Sequence, residues 1–295
     1  MSNPTPPSDD ADSVSVGDDV KIGGPPSDEA STDDRHRLRT LGVAMGLGFG
    51  AIIVSLVFQY PIVVLGPRLG LPLPESPLAL ISLELFIGQV LAMGGLSAFY
   101  LHKTGRGLSY VSIRRPTLVE SLLVIAAPFG IIFVTVIITQ LSLLAGVEPS
   151  QHALSGLTGI EPSFYLYLVP LMILIVGPFE ELLYRGVVQS RLRESFGPVG
   201  AIVLASLIFA SIHLPAHGFG SAGIASTAAS LTALFGGSLV FGGIYEWTEN
   251  LTVVALTHGV YNGILLTLLY FVTVYGPELE EMAADAETAL VLAGL

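Results

Sequence analysis

The sequence predicts an all-α fold, a polytopic membrane helix bundle of about seven transmembrane helices, and three observations predict it. Of 295 residues, 52% are apolar and only 12% charged, and the mean hydropathy is +0.72, values that belong to an integral membrane protein rather than a soluble enzyme. The apolar residues fall into runs of roughly 20, the length that crosses the hydrocarbon core. Short segments rich in glycine, proline and charge separate the runs. The chain has no cysteine, which removes disulfides, thiolate metal sites, a cysteine nucleophile and cysteine-linked lipid anchors.

The net charge of −12 is concentrated at the two ends, with nine acids in residues 1–34 and five more between Glu278 and Glu287. This divides the chain into a disordered acidic amino-terminal tail (1–34), a membrane-embedded helical domain (35–275) and an acidic carboxyl-terminal tail (276–295). Residues 1–34 are rich in Pro, Gly, Ser and Asp and carry no apolar h-region, so they are read as solvated tail and not as a signal peptide. No nucleic-acid partner is expected.

Arg35, Arg37 and Arg39 precede the first span, near Leu41 to Leu65. Basic residues favour the cytoplasmic side, so the amino terminus is expected inside. A second span, near Pro77 to Leu101, leads into a loop with Lys103, Arg106, Arg114 and Arg115, which gives the same orientation independently. The third span runs near Leu118 to Ala145, with a bend expected at Pro128 and Gly130. The loop after it has Glu148 and Glu161 and no basic residue, as an external loop would. The fourth span, Phe164 to about Tyr184, is interrupted by Gly177-Pro178. Proline cannot donate its backbone bond, so a broken helix is expected just before the adjacent acids Glu180 and Glu181. Gly197-Pro198 opens a fifth span, Val199 to Leu214. A Gly/Ala/Ser-rich sixth span near Ser221 to Tyr245 suits close helix packing, and a seventh runs near Leu251 to Tyr275.

The chemistry is concentrated in three pairs of residues. Two adjacent carboxylates at the end of an apolar run are hard to explain as packing, because an unpaired ionised group there costs several kcal/mol. Residues four apart share a helix face, so Glu181 can meet Arg185, while Glu180, rotated by about 100°, points elsewhere. A carboxylate left free in apolar surroundings suits a general base or acid. Downstream, Phe209 and His213 close one apolar run, and His258 and Asn262 sit within another, both at the same spacing.

Glu-Glu-x-x-x-Arg at 180–185, Phe-x-x-x-His at 209–213 and His-x-x-x-Asn at 258–262, in that order on successive hydrophobic segments, resemble the signature of the CPBP intramembrane proteases. That family includes the CAAX prenyl endopeptidases and the bacteriocin-processing and abortive-infection-type proteins. The resemblance covers about a third of the chain, from Tyr165 to Leu269. It implies an endopeptidase of the cell membrane acting on a membrane-anchored peptide or protein, CAAX-type and prenylated by the family's name. It implies that Glu180 and His213 activate water, that His258 and Asn262 hold the oxyanion, that Glu181 with Arg185 braces the site, and that Phe209 packs beside it.

A zinc-dependent version of the same protease is the main alternative, with Glu180, His213 and His258 as ligands. The metal-free scheme is preferred because no His-Glu-x-x-His is present and Asn262 is a poor zinc ligand but a good oxyanion donor. A proton- or ion-coupled transporter would also use buried ionisable residues, but no inverted repeat accompanies them. A non-catalytic immunity scaffold is the third alternative. His36, His102, His152 and His217 read as solvated residues, with His217 the most relevant because it neighbours His213.

Overall fold

The computed structural model describes residue 1 and residues 27–71, 73–150, 161–220 and 223–292. The described residues are helical with no strands, and six helices are long and apolar enough to cross a membrane. Helix α1 begins at Ser27 and continues through a π-helical turn, Tyr60–Leu65, to Arg68. Helix α2 spans Pro77–Lys103, α3 Leu118–Leu144, α4 Ser163–Ile212, α5 Ile224–Thr248 and α6 Leu251–Leu292.

The difference between six helices and seven expected spans lies within α4. Its backbone leaves the helical region at Gly197 (φ 66°, ψ 179°), a left-handed value that glycine adopts without the Cβ penalty, and Pro198 then restarts the helix. The fourth and fifth expected spans are thus the two arms of one kinked helix. The break expected at Gly177-Pro178 takes another form, because Val176 and Gly177 keep right-handed helical angles. The hydrogen-bond ladder widens instead into π-helical segments, Met172–Val176 before the acids and Leu182–Gln189 after them. Such widening absorbs a missing proline N–H and recurs at functional sites.

The ends also differ from expectation. Residues 27–34 are helical backbone continuous with α1, and α6 passes through Gly276 to Leu292. The remainder of the expected amino-terminal tail, residues 2–26, lies outside the described residues, as does His152.

Helix α6 is central and α3 peripheral: half of the spanning window of α6 is buried against 11% in α3. On α3, Leu118, Leu122, Ile125, Phe129 and Phe133 form an exposed apolar stripe at helical spacing, while Val124, Pro128 and Ile131 face inward. A stripe of that kind is stable against lipid and not against water. The start of α3 is fixed by a capping box between Thr117 and Glu120, and Arg114 bonds both Glu120 and the Thr248 carbonyl at the end of α5. The main core joins α1, α4, α5 and α6 through Leu47, Tyr184, Val187, Ile208, Phe241 and Val254. The Tyr184 hydroxyl donates to the Gly48 carbonyl (3.2 Å), tying α4 to α1.

Candidate active site

The first arm of α4 meets α6 backbone to backbone. A Cβ at Gly177 would lie 2.5 Å from the Ala255 carbonyl oxygen and 2.8 Å from the Gly259 nitrogen, and one at Gly259 would lie 2.6 Å from the Ile173 Cα. Only glycine permits that approach. It sets Glu180 and Glu181, one turn beyond Gly177, beside His258, the residue before Gly259.

The two adjacent acids then diverge. Glu181 Oε1 accepts from Arg185 Nη1 (3.0 Å) and from His258 Nδ1 (2.7 Å). Arg185 Nη2 donates to Ser238 Oγ (2.9 Å), and the guanidinium lies 4.8 Å from the Phe209 ring centroid and 5.5 Å from that of Phe241. Glu181 and Arg185 are 0% and 1% exposed, so their charges depend on each other, on these hydrogen bonds and on the ring faces rather than on water. Glu180 is not paired with Arg185. Its Oε1 accepts from Gln89 Nε2 (3.0 Å) and its Oε2 lies 3.9 Å from His258 Nε2.

Both histidines have one ring nitrogen committed. His213, at the end of α4, faces the Phe209 carbonyl with Nδ1 at 2.8 Å. A carbonyl can only accept, so this bond assigns the proton to Nδ1 and leaves a lone pair on Nε2 of the neutral ring. The carboxylate of Glu181 likewise places a proton on His258 Nδ1, because it too can only accept, and this bond leaves the state of Nε2 open. The Phe209 ring stands between the imidazoles, with centroids 4.7 Å from His213 and 6.1 Å from His258.

Glu180, His213, His258, Asn262, Phe209 and Gln89 all border one cavity of about 580 Å³. The structure thus brings these side chains around one hollow, while Glu181 and Arg185 do not line it. Ser150, His217 and Ser230 also line it, together with the apolar Leu85, Met172, Val176 and Leu266. His217 departs from the expectation of a solvated residue: it is 8% exposed, with Nδ1 3.1 Å from Ser150 Oγ. Burial and the neighbouring His213 push its imidazole below the ordinary value. His36 and His102 are exposed, as expected.

Three residues at this site escaped the sequence reading. Gln89 is a lone amide in the apolar run of α2, a signal of the same kind as the acids but carried by a single residue. Ser238 follows two glycines in a helix whose small residues suggested only packing, and Phe241, which stacks on His258 at 4.7 Å, looks like any core aromatic. Among the described residues no three His, Asp or Glu side chains form a group that could hold a metal ion. The set that a zinc site would need, Glu180, His213 and His258, is thus not assembled as ligands.

Residues 162–264 match the family model described as type II CAAX prenyl endopeptidase Rce1-like. No curated protein and no solved structure matches the chain. The matched segment runs from the start of α4 into α6 and contains all three motifs that border or brace the cavity. The chain is a multi-pass membrane protein whose residues 162–264 are similar to the Rce1-like type II CAAX prenyl endopeptidases.

Proposed function

We propose that this protein is an intramembrane endopeptidase that hydrolyses a peptide bond in a membrane-associated protein, without a metal. The observation that carries the reading is that Glu180, His213, His258 and Asn262, drawn from α4 and α6, border one cavity, with a buried Glu181–Arg185 pair behind it.

Glu180 takes a proton from a water held also by the Nε2 lone pair of His213, and the water oxygen attacks the scissile carbonyl. The oxyanion of the tetrahedral intermediate accepts hydrogen bonds from the Asn262 amide and from His258 Nε2. Since Nδ1 of His258 already donates to Glu181, Nε2 can donate only in the doubly protonated ring. The Glu181 carboxylate 2.7 Å away is what makes that cation tolerable, and Arg185 and Ser238 hold the carboxylate in place. Glu180 then returns its proton to the leaving amine as the carbon–nitrogen bond breaks.

A CAAX-type carboxyl terminus whose cysteine carries a prenyl chain is the substrate class we propose, from the similarity of residues 162–264 to the family model and from the apolar side chains of Leu85, Met172, Val176 and Leu266 that line the cavity. Arg35, Arg37 and Arg39 in the amino-terminal part of α1 and the basic loop between α2 and α3 support a cytoplasmic amino terminus.

The test is cleavage of an internally quenched peptide, ending in a prenylated cysteine and three further residues, by purified protein in detergent. Glu180→Gln should abolish product formation, and exhaustive chelation should leave the parent rate unchanged. Full activity in Glu180→Gln would overturn the role of the carboxylate. Complete loss on chelation, restored by zinc, would overturn the metal-free scheme.

A further inference from the structure

One polar side chain in the cavity wall, Gln89, bonds Glu180 directly and has no part in the hydrolytic scheme above. Gln89 comes from α2, outside the segment that matches the family model, and it reaches Glu180 across 91 positions of chain. It is 9% exposed, Glu180 is 6% exposed, and both line the cavity. The contact has a fixed polarity. An ionised carboxylate only accepts, so the amide must present Nε2, which leaves Gln89 Oε1 buried without a protein partner among the described residues.

One end of the Gln89 amide is thus left unpaired while the other grips the carboxylate. The local backbone points the same way. Gln89 lies in a π-helical stretch of α2, Phe86–Gly94, the kind of insertion that re-aims a side chain at functional sites. Five residues on, the Gly94 backbone packs against the Phe179 ring, and a Cβ there would lie 2.7 Å from it. Phe179 immediately precedes Glu180, so α2 is registered to the acid-bearing turn by packing and by a hydrogen bond together.

Resting on the hydrolase reading, we propose that Gln89 is a positioning residue for Glu180. Its Nε2 clamps Oε1, so that Oε2 alone faces the cavity and the attacking water. Without the clamp the carboxylate rotates about its last bond and presents either oxygen, or neither, to the water. Gln89 touches no reacting atom itself and acts through Glu180.

The experiment measures steady-state cleavage of the quenched prenylated peptide and melting in detergent for Gln89→Leu, Gln89→Glu and Glu180→Gln. Gln89→Leu should lower kcat about 10- to 100-fold, the usual effect of losing a hydrogen bond to a charged group. KM should stay within about twofold and the melting temperature within about 3 °C of the parent, because the unpaired amide oxygen leaves with the bond. In Gln89→Glu the new side chain can donate to Glu180 only while it holds a proton. Activity of that variant should therefore be confined to the acidic part of the parent's pH profile.

Parent-like kcat in Gln89→Leu, or a Gln89→Glu profile that superimposes on the parent's, would overturn the proposal. So would a loss of activity in Gln89→Leu that merely follows a large drop in melting temperature. Glu180→Gln separates the two levels: if it is inactive while Gln89→Leu is normal, only the positioning role fails. If Glu180→Gln itself is active, the hydrolase reading fails with it.

Discussion

A methyl group placed where α4 and α6 touch should damage catalysis without touching a catalytic group. In Gly177→Ala the new carbon would lie 2.5 Å from the Ala255 carbonyl oxygen and 2.8 Å from the Gly259 nitrogen. Both are backbone atoms and cannot swing aside as a side chain would. Ordinary contact begins near ~3.5 Å, so the two helices must part by about 1 Å. That displacement falls between Glu180 and His258, whose nearest polar atoms are 3.9 Å apart, and a misplacement of ~1 Å in a catalytic constellation costs on the order of 100-fold in rate. Overpacking should also cost about 1–3 kcal/mol of stability. The assay is kcat/KM on the quenched prenylated peptide, with melting in detergent. Gly130→Ala is the control, since a Cβ there meets nothing within 4 Å; it should leave activity unchanged and add about 0.5–1 kcal/mol from helix propensity. If Gly177→Ala cleaves and melts like the parent, the glycine contact does not set the distance between the acids and His258, and this account of how the site is held together is wrong.

Arg185→Leu removes the guanidinium bonded to the fully buried Glu181, and breaking a buried pair from one side typically costs about 3–5 kcal/mol; a fall in melting temperature too small to match would show that His258 suffices to hold the carboxylate. His217 gives a pH signature. Burial holds its imidazole below the ordinary value, so the unfolded chain binds more protons here than the folded one just below about pH 6.5. Its contribution to stability is complete above that pH and is lost progressively as pH falls toward the depressed value. His217→Gln should therefore flatten the stability–pH curve between about pH 5 and 7 in chemical denaturation, and an unchanged slope would refute a buried neutral imidazole.

Much of the site could be read from residue spacing because it is local geometry. The i, i+4 interval puts Arg185 on the face of Glu181, brings the His213 ring to the Phe209 carbonyl and sets Asn262 one turn beyond His258, whatever surrounds them. The kink before the second arm of α4 was likewise announced by Gly197-Pro198. Gly177-Pro178 misled because a proline only forbids one hydrogen bond, and a helix can answer that by widening its ladder as well as by breaking. Gln89 and Ser238 went unread because each matters only through a residue on another helix.

By itself, then, the sequence determines that the chain is a membrane helix bundle and which turns carry acids, imidazoles and amide, since hydropathy and helical period depend on no other part of the molecule. The tertiary structure alone decides that Glu181 Oε1 bonds both Arg185 and His258, that Gln89 holds Glu180, and that all of this surrounds one cavity. Those contacts follow from the register between helices, which is set where glycine lets two backbones touch, and no periodicity within a single helix encodes it.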